Sequence, residues 1–469
     1  MAGNHRHHPI LDHRRHLRSP RPRHLLRGLH LHGRGAFVRT LVVGAGVSGR
    51  AAAGLARDLG DDVMVFDRLP EAVAPLALEY PTASGEWTGD LLDRVDRLVV
   101  SPGVPEHAPE IRDALVAGVP VISEIELASS IVTAPIVAVT GTNGKTTVTG
   151  LIADMLLAGG RSAVAIGNIG TAFSSVAQDE WDVVVVEVSS FQLRFIDRFH
   201  PRVAVLLNIA EDHLDWHGTL AAYAAAKANI FRNQDAGDVL IYGKDSAHAN
   251  AAVVGAVADR IPVSGLRVHA DGAGPDGRGG LVTRHGTIPL GEWRDPAFVL
   301  DLAAAASAAL EFGVSLEAVA GVVAGFTPGP HRRSVVGVWD GVTWVDDSKA
   351  TNPHAAGAAV DAYDSVVLIA GGRNKGLDLS SFVNGRTVRH VVAIGEARDE
   401  IAAAVGQRPI HEAETMEGAV EVAARVAEHG DTVLLAPGCA SFDMFESYAA
   451  RGLAFAAAVE RFHQVEPAR

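Results

Sequence analysis

Three α/β domains are predicted for this 469-residue chain, and three observations predict them. Short apolar runs alternate with helical text along most of the sequence, the pattern of parallel sheets. Two glycine-rich loops each follow an apolar run and open a helix, one at Gly44-Ala45-Gly46-Val47-Ser48-Gly49 and one at Gly141-Thr142-Asn143-Gly144-Lys145-Thr146-Thr147. The length itself exceeds what one hydrophobic core fills, and ordinary domain sizes give about three units.

Composition sets the outer bounds. Apolar residues make up 48% and charged residues 20% of the chain, which is globular composition. Cys439 is the only cysteine, so an intrachain disulfide and a cysteine-rich zinc site are excluded, and a reducing cytoplasm is the expected compartment. The formal charge of −14 is uneven: residues 1–39 hold nine Arg and eight His against one acid, Asp12, leaving the rest of the chain near −22. An acidic body argues against a nucleic-acid partner, because phosphate neutralisation by Lys and Arg supplies most such affinity. No apolar run is long enough to cross a bilayer without charges or Gly/Pro breaks, so no membrane partner is expected. The basic segment reads as a disordered extension over 1–37; a nucleic-acid arm, a His-rich metal tract and a targeting segment are the other readings of such text.

The elements follow in order. A strand at Val38–Val43 runs into the first glycine loop and an Ala-rich helix from about Arg50 to Leu59. Further strands are expected at Val63–Phe66, ending on Asp67, at Arg97–Val100 and at Pro120–Ile122, which completes a first domain over 38–130. A new strand, Ile136–Thr140, feeds the second loop and a helix at Thr146–Ala158. The run Val183-Val184-Val185-Val186 inside Asp182–Val188 has no polar alternation and reads as a strand buried on both faces, as does Val203–Leu207. Residues 266–290 are Gly-rich and weakly alternating, which predicts a hairpin excursion. The helix Val299–Glu311 leads to Pro328-Gly329-Pro330, which punctuates the boundary between domains at 131–328 and 329–469. Strands at Val335–Trp339, Thr343–Val345, Val366–Ile369, His390–Ile394 and Thr432–Leu435 fill the last domain.

The second loop lies between a buried strand and a helix, the context a phosphate loop requires. Its backbone N–H groups and the helix N-terminus can cradle a polyphosphate, Lys145 can reach the transferred phosphoryl group, and the Thr146 hydroxyl can ligate Mg²⁺. It departs from the usual pattern in one place, where Val139 stands for a glycine. Glu187, at the end of the buried strand, delivers a carboxylate to the same sheet edge, and hard cations take oxygen ligands. The acids and His of Glu211-Asp212-His213-Leu214-Asp215 follow another buried strand. The first loop, with Asp67 ending the second strand, fits a dinucleotide site and a UDP site about equally. The outer domains therefore read as Rossmann-like and the central one as P-loop ATPase-like.

Taken in order, Gly-Thr-Asn-Gly-Lys-Thr-Thr, Glu187-Val-Ser-Ser-Phe-Gln-Leu, Asn208-Ile-Ala-Glu-Asp-His213-Leu-Asp, Ala226-Lys227 before Ile230-Phe231, Gly329-Pro330-His331-Arg332, Asp346-Asp347-Ser348-Lys349-Ala350-Thr351-Asn352, Gly371-Gly372-Arg373-Asn374-Lys375-Gly376 and Ser441-Phe442-Asp443-Met444-Phe445 resemble the Mur ligase family over about 38–455. The Ser-Ser-Phe-Gln-Leu, Asp-Ser-Lys-Ala-Thr-Asn and Ser-Phe-Asp-x-Phe segments look like its D-glutamate-adding branch. The resemblance implies ligation of D-glutamate to UDP-N-acetylmuramoyl-L-alanine with ATP and two Mg²⁺ sites, in peptidoglycan precursor synthesis, by a monomer.

Residue by residue, it implies that Gly141 to Thr147, Arg332 and Asp347 bind ATP, with Lys145, His213, Lys227 and Arg332 catalytic. Thr146, Glu187, His213 and Lys227 become the metal-site residues, Lys227 as the CO₂-derived carbamate that the family carries. A buried amine of lowered pKa can add CO₂ and become an anion, whereas composition alone would make Lys227 a solvated helix lysine. Ser48, Gly49, Asp67, Gly103 and Asn168 fall to the UDP substrate, which settles the first loop toward UDP, and Lys349, Thr351, Lys375, Ser441 and Phe442 to D-glutamate. Two stretches depart from the family. Where relatives carry a His-Asn pair before an Asn-Ala-Leu-Ala-Ala helix, this chain reads Asp295-Pro296-Ala297-Phe298-Val299-Leu300-Asp301-Leu302, so adenine contacts are not transferred. Tyr242-Gly243-Lys244-Asp245 likewise replaces an Asn-Ala-Asp-Asp segment. A folylpolyglutamate synthase, an NAD(P)-dependent oxidoreductase built on 38–130, and a nucleotide-binding regulatory protein are the rival readings.

Overall fold

Four sheets carry the fold in the computed structural model, which describes residues 37–465. All but the last residue of the expected basic extension, 1–37, lies outside the described residues. The first sheet is wholly parallel, with strands β1 (Arg39–Val43), β2 (Asp62–Asp67), β3 (Thr82–Ser84), β4 (Arg97–Val100) and β5 (Val121–Ser123) in the order β3-β2-β1-β4-β5. The order reverses beside β1, so a crevice opens at its carboxyl end, where the first glycine loop sits.

The second sheet, also parallel, comprises β6 (Ile136–Thr140), β7 (Ala163–Gly167), β8 (Val183–Glu187), β9 (Val203–Leu206), β10 (Val239–Gly243) and β11 (Asp259–Val263), ordered β11-β10-β9-β6-β8-β7. The phosphate loop leaves β6 between β9 and β8, again at a switch point. The excursion expected at 266–290 is a small antiparallel sheet of β12 (Gly274–Pro275), β13 (Gly280–Thr283) and β14 (Gly286–Pro289). The last sheet holds β15 (Ser334–Trp339), β16 (Val342–Asp346), β17 (Val366–Gly371), β18 (Val388–Ile394), β19 (Ile410–Glu412) and β20 (Thr432–Gly438), ordered β15-β16-β20-β17-β18-β19, with β15 alone antiparallel.

The four-valine run behaves as its lack of alternation requires. Val184 and Val186 enter one core and Val183 and Val185 the opposite one, all fully buried. The first of these cores also contains Val42, Ala52 and Val65 from around the first sheet, so the two sheets share a hydrophobic interior. Truncating Val185 to Ala removes two methyls from a filled site and should cost about 2 kcal/mol, read as a lowered midpoint in urea unfolding at unchanged slope.

Three expectations are corrected. The first helix spans Val47–Asp58, not Arg50–Leu59, because the chain turns at Gly46 and the fingerprint's second half is already helical. The helix expected at Val299–Glu311 begins at Pro296. Asp295 caps it by accepting a bond from Ala297 N at 2.9 Å, and Pro at the first position needs no N–H partner. Strands β3, β7, β10, β11 and β19 were not anticipated. β3 and β19 are only three residues long, and β10 is wholly buried, with no polar alternation to mark it.

Candidate functional site

The first glycine loop divides its labour among three residues. Gly44 has φ +95°, and a side chain there would press on Ser101, whose hydroxyl donates to Gly44 O at 3.0 Å. A Cβ on Gly49 would overlap Gly44 O, whereas one on Gly46 would meet nothing within 4 Å. Gly46 thus leaves backbone open to a ligand, while Gly49 packs helix against strand and does not line the cavity. That cavity, about 680 Å³, is bounded by Gly46, Ser48, Asp67, Gly103 and Asn168, among others. Asp67 orients the loop, its two oxygens accepting from Ala45 N at 2.7 Å and Leu69 N at 3.0 Å.

Asn168 joins this cavity to the next site. Its Nδ2 donates to Glu187 Oε1 at 3.0 Å, and its N to Glu187 O at 2.9 Å. Glu187 lies opposite Val139 on β6 and Gly167 on β7. It is 2% exposed, and its other oxygen, Oε2, is buried with no hydrogen-bond partner. A buried unpaired carboxylate oxygen is costly and is the donor a hard cation takes.

Lys145 begins the helix Lys145–Ala158 and turns its Nζ back to Gly141 O and Thr142 O, each at 2.9 Å. Burial holds its amine below the usual lysine range, against the opposing pull of Glu187 and Asp212. Asn143 and Asn208 exchange bonds, Asn143 N to Asn208 Oδ1 at 2.8 Å and Asn208 Nδ2 to Asn143 O at 3.1 Å. Val139, at the place of the usual glycine, is still strand and wholly buried, so the cradle is shorter and starts at Gly141.

Lys227 sits on the helix Leu220–Ala228, 1% exposed. Its Nζ donates to Gly141 O at 2.8 Å and lies 4.6 Å from the Tyr223 ring centre. Burial first, then Lys145, push its pKa well below the usual lysine value, which favours the unprotonated, nucleophilic form of the amine. The solvated helix lysine that composition favours is thereby excluded. His213 adopts φ +54° and packs edge-on to Phe191 at 4.9 Å. Burial keeps its pKa down despite Asp212, and both Lys227 and Lys145 act on it electrostatically.

The C-terminal residues reach into the same place. Arg332 Nη1 donates to Thr147 Oγ1 at 2.6 Å. Lys375 Nζ donates to Asp212 Oδ1 at 2.9 Å, and Asn143 Nδ2 to Asn352 Oδ1 at 3.3 Å. Asp347 is buried, its carboxyl pushed up to about 6 by desolvation against Arg333 and Arg332. A cavity of about 510 Å³ lies between Gly144, Arg332, Asp347 and Lys349 on one side and Leu266, Pro296 and Phe298 on another.

Lys349 and Thr351 follow β16, Lys375 follows β17, and Ser441 follows β20, three adjacent strands ending together. Ser441 is buried, whereas Phe442 is 67% exposed. Beneath them Arg451, 1% exposed, donates to Ser348 O at 2.9 Å, Ser348 Oγ at 2.9 Å, Cys439 O at 3.1 Å and Gly371 O at 3.4 Å, tying the three strand ends together. Sequence reasoning missed Arg451, Asp212, Tyr223, Asn352 and Asp301. Of these Asp212, Asn352 and Asp301 lie inside stretches named above, and nothing local distinguishes them from their neighbours.

A glycine loop opening a helix, a carboxylate with an unpaired oxygen and a buried lysine, set between two Rossmann-like sheets, define a three-domain phosphoryl-transfer protein of the α/β class. Family models match along the chain: the Mur ligase MurD-like N-terminal domain over 38–123, the Mur ligase middle domain over 139–263, and the Mur ligase glutamate ligase domain over 331–439. The UDP-N-acetylmuramoylalanine–D-glutamate ligase of Frankia casuarinae is 44% identical over 451 residues, covering 90% of this chain and 94% of that protein. The enzyme of the same name from Salinibacter ruber is 42% identical over 452 residues, covering 90% and 97%. Among solved structures, a pseudomurein peptide ligase type C from Methanothermus fervidus shares the fold with TM-score 0.59 at 15% identity, covering 92% of this chain and all of that one. The chain belongs to the Mur ligase family.

Proposed function

We propose that this protein is an ATP-dependent ligase that adds D-glutamate to the L-alanine carboxylate of UDP-N-acetylmuramoyl-L-alanine. The observation that carries the reading is Glu187, which touches the first cavity through Asn168 and keeps its second oxygen free beside the phosphate loop. A single carboxylate therefore links the place for a UDP substrate to the place for a triphosphate.

In this reading the first cavity holds the UDP group, with Gly46 and Ser48 presenting backbone to the diphosphate. The second holds ATP, with Asp347 at the ribose and the apolar wall of Leu266, Pro296 and Phe298 at the base. The L-alanine carboxylate attacks the γ-phosphorus to give an acyl phosphate and ADP. The D-glutamate amine then adds to the acyl carbon, loses a proton and expels phosphate. Lys145 and Arg332 neutralise charge on the transferring phosphoryl group. Lys349, Lys375 and Ser441 supply the cations and hydroxyl that a dicarboxylate amino acid needs. Thr146, Glu187, His213 and a carbamylated Lys227 fit two Mg²⁺ ions, the orphaned Glu187 oxygen being one ready ligand. Bound there, Mg²⁺ reduces the repulsion between carboxylate and polyphosphate.

Among the described residues no helix is long and apolar enough to cross a membrane, and we place the enzyme in the cytoplasm as a monomer. Phosphate release should require ATP, D-glutamate and UDP-N-acetylmuramoyl-L-alanine together. Release with a folate acceptor instead, or binding of NAD(P) with no phosphate release, would select one of the rivals. Deleting residues 1–36 should leave turnover within about twofold, the scale on which surface changes far from a site act, because no matched motif begins before Val38. A large loss of kcat in the truncated enzyme would assign the basic segment to the active structure.

A further inference from the structure

Asp301 lies on the helix Pro296–Leu310, in the stretch where this chain departs from its family, and is 4% exposed. Its Oδ2 accepts from Arg332 Nη1 at 3.4 Å. Its Oδ1 abuts Gly144, whose φ is +89° and whose α-carbon has no room for a side chain because of that oxygen. The same Arg332 nitrogen donates to Thr147 Oγ1. Arg332 precedes β15 and yet is held between two helices of the central domain, over the phosphate loop. Its neighbour Arg333 turns elsewhere, pairing with Asp295 and stacking 5.1 Å from the Phe298 ring.

We propose that Asp301 is a positioning residue for phosphoryl transfer, which holds Arg332 on the phosphate-loop helix and releases it to an arriving triphosphate by taking up a proton from solvent. The proposal rests on the nucleotide reading of this cavity and adds to it a residue and a proton.

The charge environment supports the exchange. Arg332 is the charged group that opposes desolvation at Asp301, whose carboxyl is pushed up to about 7 by burial. From the phosphate-loop side Lys145 turns its amine to Gly141 and Thr142, and Asp245 after β10 is taken by Ser264 and Gly265. Asp347 and Lys349, on the loop after β16, line the same cavity. The other elements packed on this helix contribute Val148, Val205, Ile241, Val263, Leu281 and Val319 to the core beneath. When a phosphate takes the guanidinium, Asp301 loses its favourable charge and gains an anion nearby, so the neutral acid is favoured. The carboxyl pKa thus rises on binding. Affinity is then full below the free-state titration and falls as pH rises through it, by about tenfold per pH unit at the limit of one proton.

The test is calorimetry of MgATP binding to the full chain with neither other substrate present, in buffers of differing ionisation enthalpy. At pH 8 the wild type should take up about one proton more than Asp301→Asn, the most that a single carboxyl can contribute. Between pH 7 and 9 its affinity should fall steeply while that of the variant stays flat. Equal proton uptake in the two proteins overturns the proposal. If the variant does not fold, the wild type alone decides, because an affinity independent of pH across that range also overturns it. Absence of MgATP binding by the wild type defeats the nucleotide reading itself, a separate outcome.

Discussion

Replacing Lys227 by Ala is expected to lower turnover by about a thousandfold, the scale on which an electrostatic group at a phosphoryl-transfer site acts, and millimolar formate or acetate is expected to restore part of it. The argument starts from burial. An amine 1% exposed, beside Lys145 and bonded to the carbonyl of Gly141, has its pKa pushed well below the usual lysine value. A neutral buried amine can add CO₂ and release a proton, which converts a potential cation into an anion next to the free oxygen of Glu187. Truncation then removes a negative charge from a place built to hold cations, and a small carboxylate supplies it again. The opposing account makes Lys227 a cation that binds phosphate directly. It requires rescue by methylammonium and none by carboxylates. Phosphate release by the variant with each additive at equal concentration decides, and rescue by the amine alone rejects the carbamate and its metal site. A thermal unfolding midpoint near that of the wild type guards against simple misfolding, since the change also deletes the bond to Gly141.

Lys145→Ala is expected to reduce ligation by at least the same thousandfold with little change in stability. The side chain fills no apolar core. Its amine is occupied by two carbonyls of its own loop, Gly141 O and Thr142 O, bonds a γ-phosphate can replace. What the variant loses is neutralisation of the transferring group, so kcat should fall while D-glutamate and UDP-substrate affinities stay near wild type. Retention of most activity at unchanged stability would reject the assignment of the phosphate loop.

Much of this was legible because it is local. Phosphate cradles are made by consecutive backbone amides, so Gly141 to Thr147 declare themselves in the order of the chain. The same holds for Gly44, Gly46 and Gly49, whose three different packing demands follow from one turn between strand and helix. Val183 to Val186 announced a strand with two buried faces, and both cores confirm it. The start of the helix at Pro296 was legible too and was missed: Asp295 followed by Pro296 is a cap and first-position pair that local sequence already signals.

By itself the sequence determined the α/β class, the two glycine loops, the place of Glu187 at a sheet edge and the family, because each rests on spacing within one strand, turn or helix. Only the tertiary structure decided which groups meet. Lys375 and Asp212, Arg332 and Thr147, and Asn143 and Asn352 are each separated by more than 160 residues, and no local pattern encodes such pairs. It also decided that Lys227 is buried, that Phe442 is exposed and that Arg451 binds three strand ends from below. Burial and ionisation depend on what packs around a side chain, and that packing is a property of the assembled sheets.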